Sequence, residues 1–126
     1  MDSVADLQAG DLTILVSEPG CVRLDWKGKS SSRDPAKILG PFFALVARRA
    51  AELAGAGRPS VEMHFEALEH FNSSTITALI QFIQKSRASG LHLSIVFDAA
   101  QKWQRLSFDA LRIFDKSDGL LQFRSP

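Results

Sequence analysis

The densest run of chemistry-bearing side chains is Glu69-His70-Phe71-Asn72-Ser73-Ser74-Thr75. Its last four residues stand just ahead of Ile76, Leu79, Ile80 and Ile83, an apolar set at helical spacing. One small polar side chain is enough to cap a helix, by accepting a hydrogen bond from an amide two or three residues on, and Asn72 or Ser73 meets that need. The surplus of hydroxyls calls for a second role. A serine at a helix start is suited to take a phosphoryl group, because the first-turn amides point outward unpaired and the helix dipole favours negative charge there. The domain itself would tolerate the added charge of about −2, whereas a partner pressed against it would have to desolvate that charge or be repelled. Ser73 is therefore the phosphoacceptor candidate, and Asn72, Ser73, Ser74 and Thr75 form the candidate partner-binding switch turn.

Other chemistry-bearing residues are dispersed. The histidines, His64, His70 and His92, and the single cysteine, Cys21, offer no converging set of metal ligands, so no metal is expected. Surface histidines and a small apolar cysteine are the simpler readings. Gly55-Ala56-Gly57 lacks the third glycine of a dinucleotide fingerprint and follows a helical pattern instead of a strand, which makes it a helix stop. Neither GxxxxGK[ST] nor GxSxG occurs. Glu66 falls on a strand's wet face and Glu69 in the turn beyond it, so they read as solvated acids and not as a catalytic pair. Trp103 sits at core-packing spacing in a helix. No catalytic residue and no cofactor is expected. The alternative is a small-ligand or hydrolytic domain using the same crevice, with Ser73 as nucleophile and His70 as the only base within reach.

These residues need a scaffold, and the pattern supplies one. Leu12–Val16 reads as a strand ended by Pro19-Gly20, and Cys21–Lys27 as a second strand alternating apolar and polar, together a hairpin. Gly28–Arg33 is a polar loop. Asp34-Pro35 starts a helix with Asp as its cap, Gly40-Pro41 interrupts it, and Phe43, Val46, Ala50 and Leu53 line its inner face until Gly55. Ser60–Leu68 is the clearest strand, and its clean alternation leaves one face wet, which predicts helices packed mainly on the other. The helix opened by Asn72–Thr75 runs to about Ser89, with Gly90 as its stop and Phe82 off its core stripe. Leu91–Phe97 is another strand, Ala99–Ile113 a third helix through Trp103, Leu106, Ala110 and Ile113, and Leu120–Phe123 a short last strand. The fold class is α/β, a mixed sheet of about five strands in the order β-β-α-β-α-β-α-β. Residues 1–10 read as a polar lead-in to a single domain spanning 1–126.

Length and composition agree. A chain of 126 residues supports one hydrophobic core. A net charge of +1 provides no field to draw nucleic acid or an acidic membrane surface. The polar start lacks the apolar stretch of a secretory signal, and no apolar run approaches a membrane span, so a cytoplasmic location is expected.

Met63 to Phe97, taken as strand, Phe71-Asn72-Ser73-Ser74, amphipathic helix, Gly90 and strand, resembles the STAS domain of bacterial anti-sigma factor antagonists. In that family the turn reads Asp-Ser-Ser-Gly or Asp-Ser-Thr-Gly, and its first hydroxyl residue, which maps to Ser73, is phosphorylated by a partner serine kinase. Trp103-Gln104-Arg105-Leu106-Ser107 followed by Leu111 also resembles a bacterial subgroup of STAS-like proteins with Asn-Ser-Ser at the turn. Asn72 and Thr75 depart from the usual Asp and Gly. The resemblance implies a regulatory adaptor held or released by a protein partner: a serine kinase, an anti-sigma factor or a sensor kinase. A second copy of the chain is a further candidate partner, since STAS-like domains can dimerise. The expected surface joins the Asn72–Thr75 turn to Gln81, Gln84 and Lys85 on the following helix and to Lys29–Asp34.

Overall fold

The structure, a computed structural model, describes residues 3–125. Its elements are β1 (Leu7–Ala9), β2 (Leu12–Ser17), β3 (Val22–Ser30), α1 (Ala36–Ala54), β4 (Ser60–His64), β5 (Leu68–Phe71), α2 (Ser73–Ala88), β6 (His92–Val96), α3 (Lys102–Leu111) and β7 (Leu121–Arg124). The strands form one seven-stranded mixed sheet ordered β1-β2-β3-β4-β6-β7, with β5 joined to the far end of β3. β1, β2 and β3 pair antiparallel, and every later pairing is parallel. This is the α/β mixed sheet that the alternation of strands and helices predicts.

Along β3, β4 and β6 the residues Val22, Leu24, Trp26, Val61, Met63, Leu93 and Ile95 are buried, while Arg23, Asp25, Glu62, His64 and Ser94 between them are only partly covered. The helices thus cover one face and leave the other open, as the alternation requires. Aromatic rings fill the covered face. Phe65 packs on Trp26 at 4.9 Å and on Phe108 of α3 at 4.8 Å, and Phe43 of α1 stacks on Phe82 of α2 at 4.6 Å.

Several elements differ from the sequence expectation, each for a local reason. The lead-in contains a strand: Leu7–Ala9 pairs with β2, and Val4 and Leu7 pack against the core. The loop expected at Gly28 begins only after Ser30, because Gly28 takes φ +83° and lets the backbone swing past Asp11, whose carbonyl would lie 2.0 Å from any Cβ there. α1 runs unbroken through Gly40-Pro41. Gly40 has no Cβ to strike the proline ring, and Pro41, lacking an N–H, leaves out one hydrogen bond of the helix. Asp34 pairs with Lys37 at 3.8 Å and makes no capping bond. On α1 the buried positions are Leu39, Phe42, Phe43, Val46 and Ala50, and Leu53 is 39% exposed.

Phe82 is only 5% exposed, so it belongs to the core, beside Ala78, Leu79 and Ile83. On α3 the inner face is Gln104, Phe108 and Leu111, while Leu106 stands 57% exposed and Ile113, in the 3-10 turn that follows the helix, 70%. The strand expected over 60–68 stops at His64 and resumes as β5, which also takes in Glu69. Between the two, Phe65–Ala67 turn, and Leu68 N donates to Phe65 O at 2.9 Å. The buried Gln104 amide donates to the carbonyls of Phe65 (2.6 Å) and Leu68 (3.1 Å), and its oxygen accepts from Asp98 N (2.8 Å). This break moves the chain off the β4 axis and sets the head of α2 against the end of β3.

Candidate functional site

The site is built where β5 hands over to α2 beside the last residue of β3. Phe71 is the register partner of Ser30, and Asn72 N continues the pairing by donating to Ser30 O at 3.0 Å. Asn72 is extended, with φ −90° and ψ 174°, and its Oδ1 accepts from Thr75 N at 2.9 Å, which is an N-cap. Its Nδ2 meanwhile donates to Ser32 O at 2.8 Å. Aspartate could make the first bond and not the second, having no N–H to give. The departure from the familiar Asp therefore ties the β3–α1 loop to the head of α2.

Thr75 is wholly buried and completes the same lock. Its Oγ1 lies 2.8 Å from Asn72 Oδ1 and 2.6 Å from Ser30 Oγ, itself buried. The order of donors that satisfies each group runs from Ser30 to Thr75 to Asn72 Oδ1, since a hydroxyl has one proton to give. Thr75 lies inside the helix, at a position that needs no glycine freedom. Of the four turn residues, Asn72 and Thr75 carry the structural bonds.

Ser73 and Ser74 are the other half. Ser73 is exposed and Ser74 half-buried, and neither hydroxyl makes a hydrogen bond among the described residues. Ser73 contributes only its carbonyl, which accepts from Thr77 Oγ1 at 3.2 Å. As the first helical residues, Ser73 and Ser74 have amides with no carbonyl behind them in the helix. His70, the residue expected as a base within reach, lies exposed on β5 beside Lys29, its ring 6.4 Å from that of Trp103, and makes no hydrogen bond to Ser73 among the described residues. Trp103 is half-buried, edge-on to Phe71 at 5.2 Å.

Around the turn, Ser31, Ser32, Arg33 and Asp34 are exposed, and Gln81, Gln84 and Lys85 are exposed along α2. A groove of about 320 Å³ opens between the β1–β2 turn and the β3–α1 loop, lined in part by Lys29, Ser32, Pro35 and Ile38.

A second cluster of titratable residues lies on the open face of the sheet. His64 faces Glu62 at 3.0 Å and Glu66 at 3.1 Å, one carboxylate at each ring nitrogen. Arg124 lies 3.5 Å from Glu62, and Arg23 pairs with Asp25 at 3.0 Å. The hydrogen bond from His64 holds the Glu62 carboxyl below its ordinary value. Burial, then the charge of Glu62, pushes the Cys21 thiol up, which is the opposite of what a nucleophilic cysteine needs. No group of three or more His, Cys, Asp or Glu among the described residues is arranged to hold a metal ion.

Sequence reasoning misses Gln104 and the buried role of Thr75, because polarity alone marks both as surface.

Among the described residues no helix is long and apolar enough to cross a membrane. No family model and no curated protein matches the sequence. Among solved structures, the chain is similar to one in the crystal structure of the diguanylate cyclase SiaD in complex with its activator SiaC from Pseudomonas aeruginosa. The identity is 16% and the TM-score 0.56, over 96% of this chain and 98% of that one. At this identity the likeness is one of fold: the two chains share their α/β architecture over nearly their whole lengths.

Proposed function

We propose that this chain is a regulatory protein-binding module of the anti-sigma factor antagonist type, read by its partner at the turn that opens α2 and switched by phosphorylation of Ser73. One observation carries the reading. In a row of four polar residues, Asn72 and Thr75 hold the structure together, while the Ser73 hydroxyl is exposed and unbonded at the helix head. The reaction on a serine kinase joins Ser73 Oγ to the γ-phosphorus of ATP, with ADP leaving and the hydroxyl proton lost. Free amides and the helix dipole stabilise the product, so the domain stays folded when modified. The change falls on the partner, which meets about two negative charges where a neutral hydroxyl stood.

The fold likeness supports the same class of role. The neighbouring structure contains an activator bound to a diguanylate cyclase. A signalling enzyme thus joins the serine kinase, anti-sigma factor and sensor kinase as candidate partners, reached in the cytoplasm. The module itself performs no catalysis in this reading.

The test is affinity capture from native cells with the wild-type chain and Ser73→Asp, followed by mass spectrometry. The reading expects a protein retained by one form and released by the other, equal melting temperatures, and phosphate on Ser73 in a fraction of the native chain. Equal capture by both forms, or unfolding of the variant, contradicts it.

A further inference from the structure

Two contacts fix where the β3–α1 loop leaves the sheet. Asn72 N donates to Ser30 O at 3.0 Å, and Asn72 Nδ2 donates to Ser32 O at 2.8 Å. Arg33 follows Ser32 and Ser73 follows Asn72, so each lies one residue, ~3.8 Å along the chain, from a pair in direct contact. The parallel register that sets Ser30 opposite Phe71 keeps the two segments running in the same direction. Arg33 and Ser73 are both exposed.

Among the cations of this loop and its flanks, Arg33 stands apart. Lys37 already has Asp34 at 3.8 Å. Lys29 is exposed, but along β3 it alternates with Ser30, whose side chain turns inward to Thr75, and so departs on the opposite face. Arg33 has no carboxylate within 4 Å among the described residues. Its guanidinium, at the end of a long flexible stem, is a fork of N–H donors that fits two oxygens of one phosphate. The Ser73 and Ser74 amides have no helical carbonyl behind them and offer further donors.

We propose that Arg33 is the internal receptor for a phosphate on Ser73, closing the β3–α1 loop onto the head of α2. This rests on the reading of Ser73 as a phosphoacceptor and adds what the modified chain does. In the unmodified chain Arg33 is free to reach a partner. Once Ser73 carries the phosphate, Arg33 turns to it, and the partner loses a cation as well as meeting an anion. Asparagine at position 72 serves the same end, because its bond to Ser32 O keeps Arg33 beside Ser73 before the phosphate arrives.

The experiment uses the full chain with phosphoserine placed at position 73 during synthesis, so that no kinase is required. Phosphorus NMR follows the second ionisation of the phosphate, and hydrogen exchange follows the amides of residues 31–34. With Arg33 in place the phosphate should be about threefold more acidic than in Arg33→Gln, because the guanidinium favours its dianion. The loop amides should exchange about threefold more slowly than in the unmodified chain, and Arg33→Gln should abolish that slowing. Arg33→Lys keeps the charge without the fork and should retain part of both effects, whereas Lys29→Gln should retain all of them. Both substituted positions are exposed, and circular dichroism checks that each variant is folded. Equal acidity with and without Arg33, an unchanged loop, or loss of the effects in Lys29→Gln in place of Arg33→Gln overturns the proposal. Such a failure leaves the Ser73 switch standing on repulsion alone. A native chain without phosphate on Ser73 removes the switch, and not the clamp that the installed group reports.

Discussion

The open face of the sheet and the head of α2 are both polar, and they place their polar groups in opposite states. On the sheet face His64 lies between Glu62 and Glu66, Arg124 leans on Glu62, and Arg23 faces Asp25, so these groups satisfy one another within the fold. At the head of α2 the satisfied groups, Asn72, Thr75 and Ser30, are turned inward, and the unsatisfied ones, Ser73 and Ser74, are turned out. Counting charged residues would choose the sheet face as the functional surface. Counting unmet hydrogen-bonding capacity chooses the turn, because a partner gains most from groups that have not already found one another.

Substitutions can sharpen or break this comparison. The largest effect is expected at Gln104, whose amide supports the Phe65–Leu68 turn that leads into β5 and so to α2. Gln104→Leu takes a donor from the Leu68 carbonyl, leaves the Phe65 carbonyl only the Leu68 amide, and strips the Asp98 amide of its acceptor, at a cost of about 3 kcal/mol by urea unfolding. Native-state hydrogen exchange should show the head of α2 loosening before the sheet face does. A loss under about 1 kcal/mol, or equal loosening of both regions, would mean that the site does not depend on this support.

Thr75→Val comes next. It keeps the shape of the side chain and removes the hydroxyl that joins Ser30 to Asn72, costing about 1–2 kcal/mol in the same measurement. A neutral result would show that the lock is not a source of stability. Asn72→Asp is the subtlest. The cap and the favourable charge at the helix start remain, so stability changes by less than about 1 kcal/mol. The bond to Ser32 O is lost, however, and amides of residues 31–34 should exchange faster while those of α2 hold. Unchanged exchange in that loop would mean that asparagine does not tie the loop to the helix.

Part of this is legible in the sequence. Period-two alternation locates β3 and β4 and the wet face of the sheet, and the Asn-Ser-Ser-Thr run ahead of an apolar helical stripe marks the α2 cap. Alternation does not show that β4 ends at His64, because Phe65 and Leu68 stay buried through the intervening turn and only Gln104, distant in sequence, closes it. The same residue explains why apolar spacing points to the wrong face of α3. Assigning Gln104 to solvent brings Leu106 and Ile113 inward, whereas its three hydrogen bonds turn them out. By residue type Thr75 belongs with Ser73 and Ser74 in one exposed run, yet it is buried. Composition distinguishes polar from apolar; it does not distinguish a polar group with partners from one without.

The most direct test is to measure, by calorimetry, the affinity of the protein captured by the wild-type chain for three purified forms: wild type, Ser73→Asp and His64→Leu. The prediction is a loss of about tenfold or more for Ser73→Asp and a change within about twofold for His64→Leu, with all three folded. The reverse order, with the sheet-face change abolishing binding and the Ser73 change leaving it intact, would contradict the claim that this protein meets its partner at the head of α2.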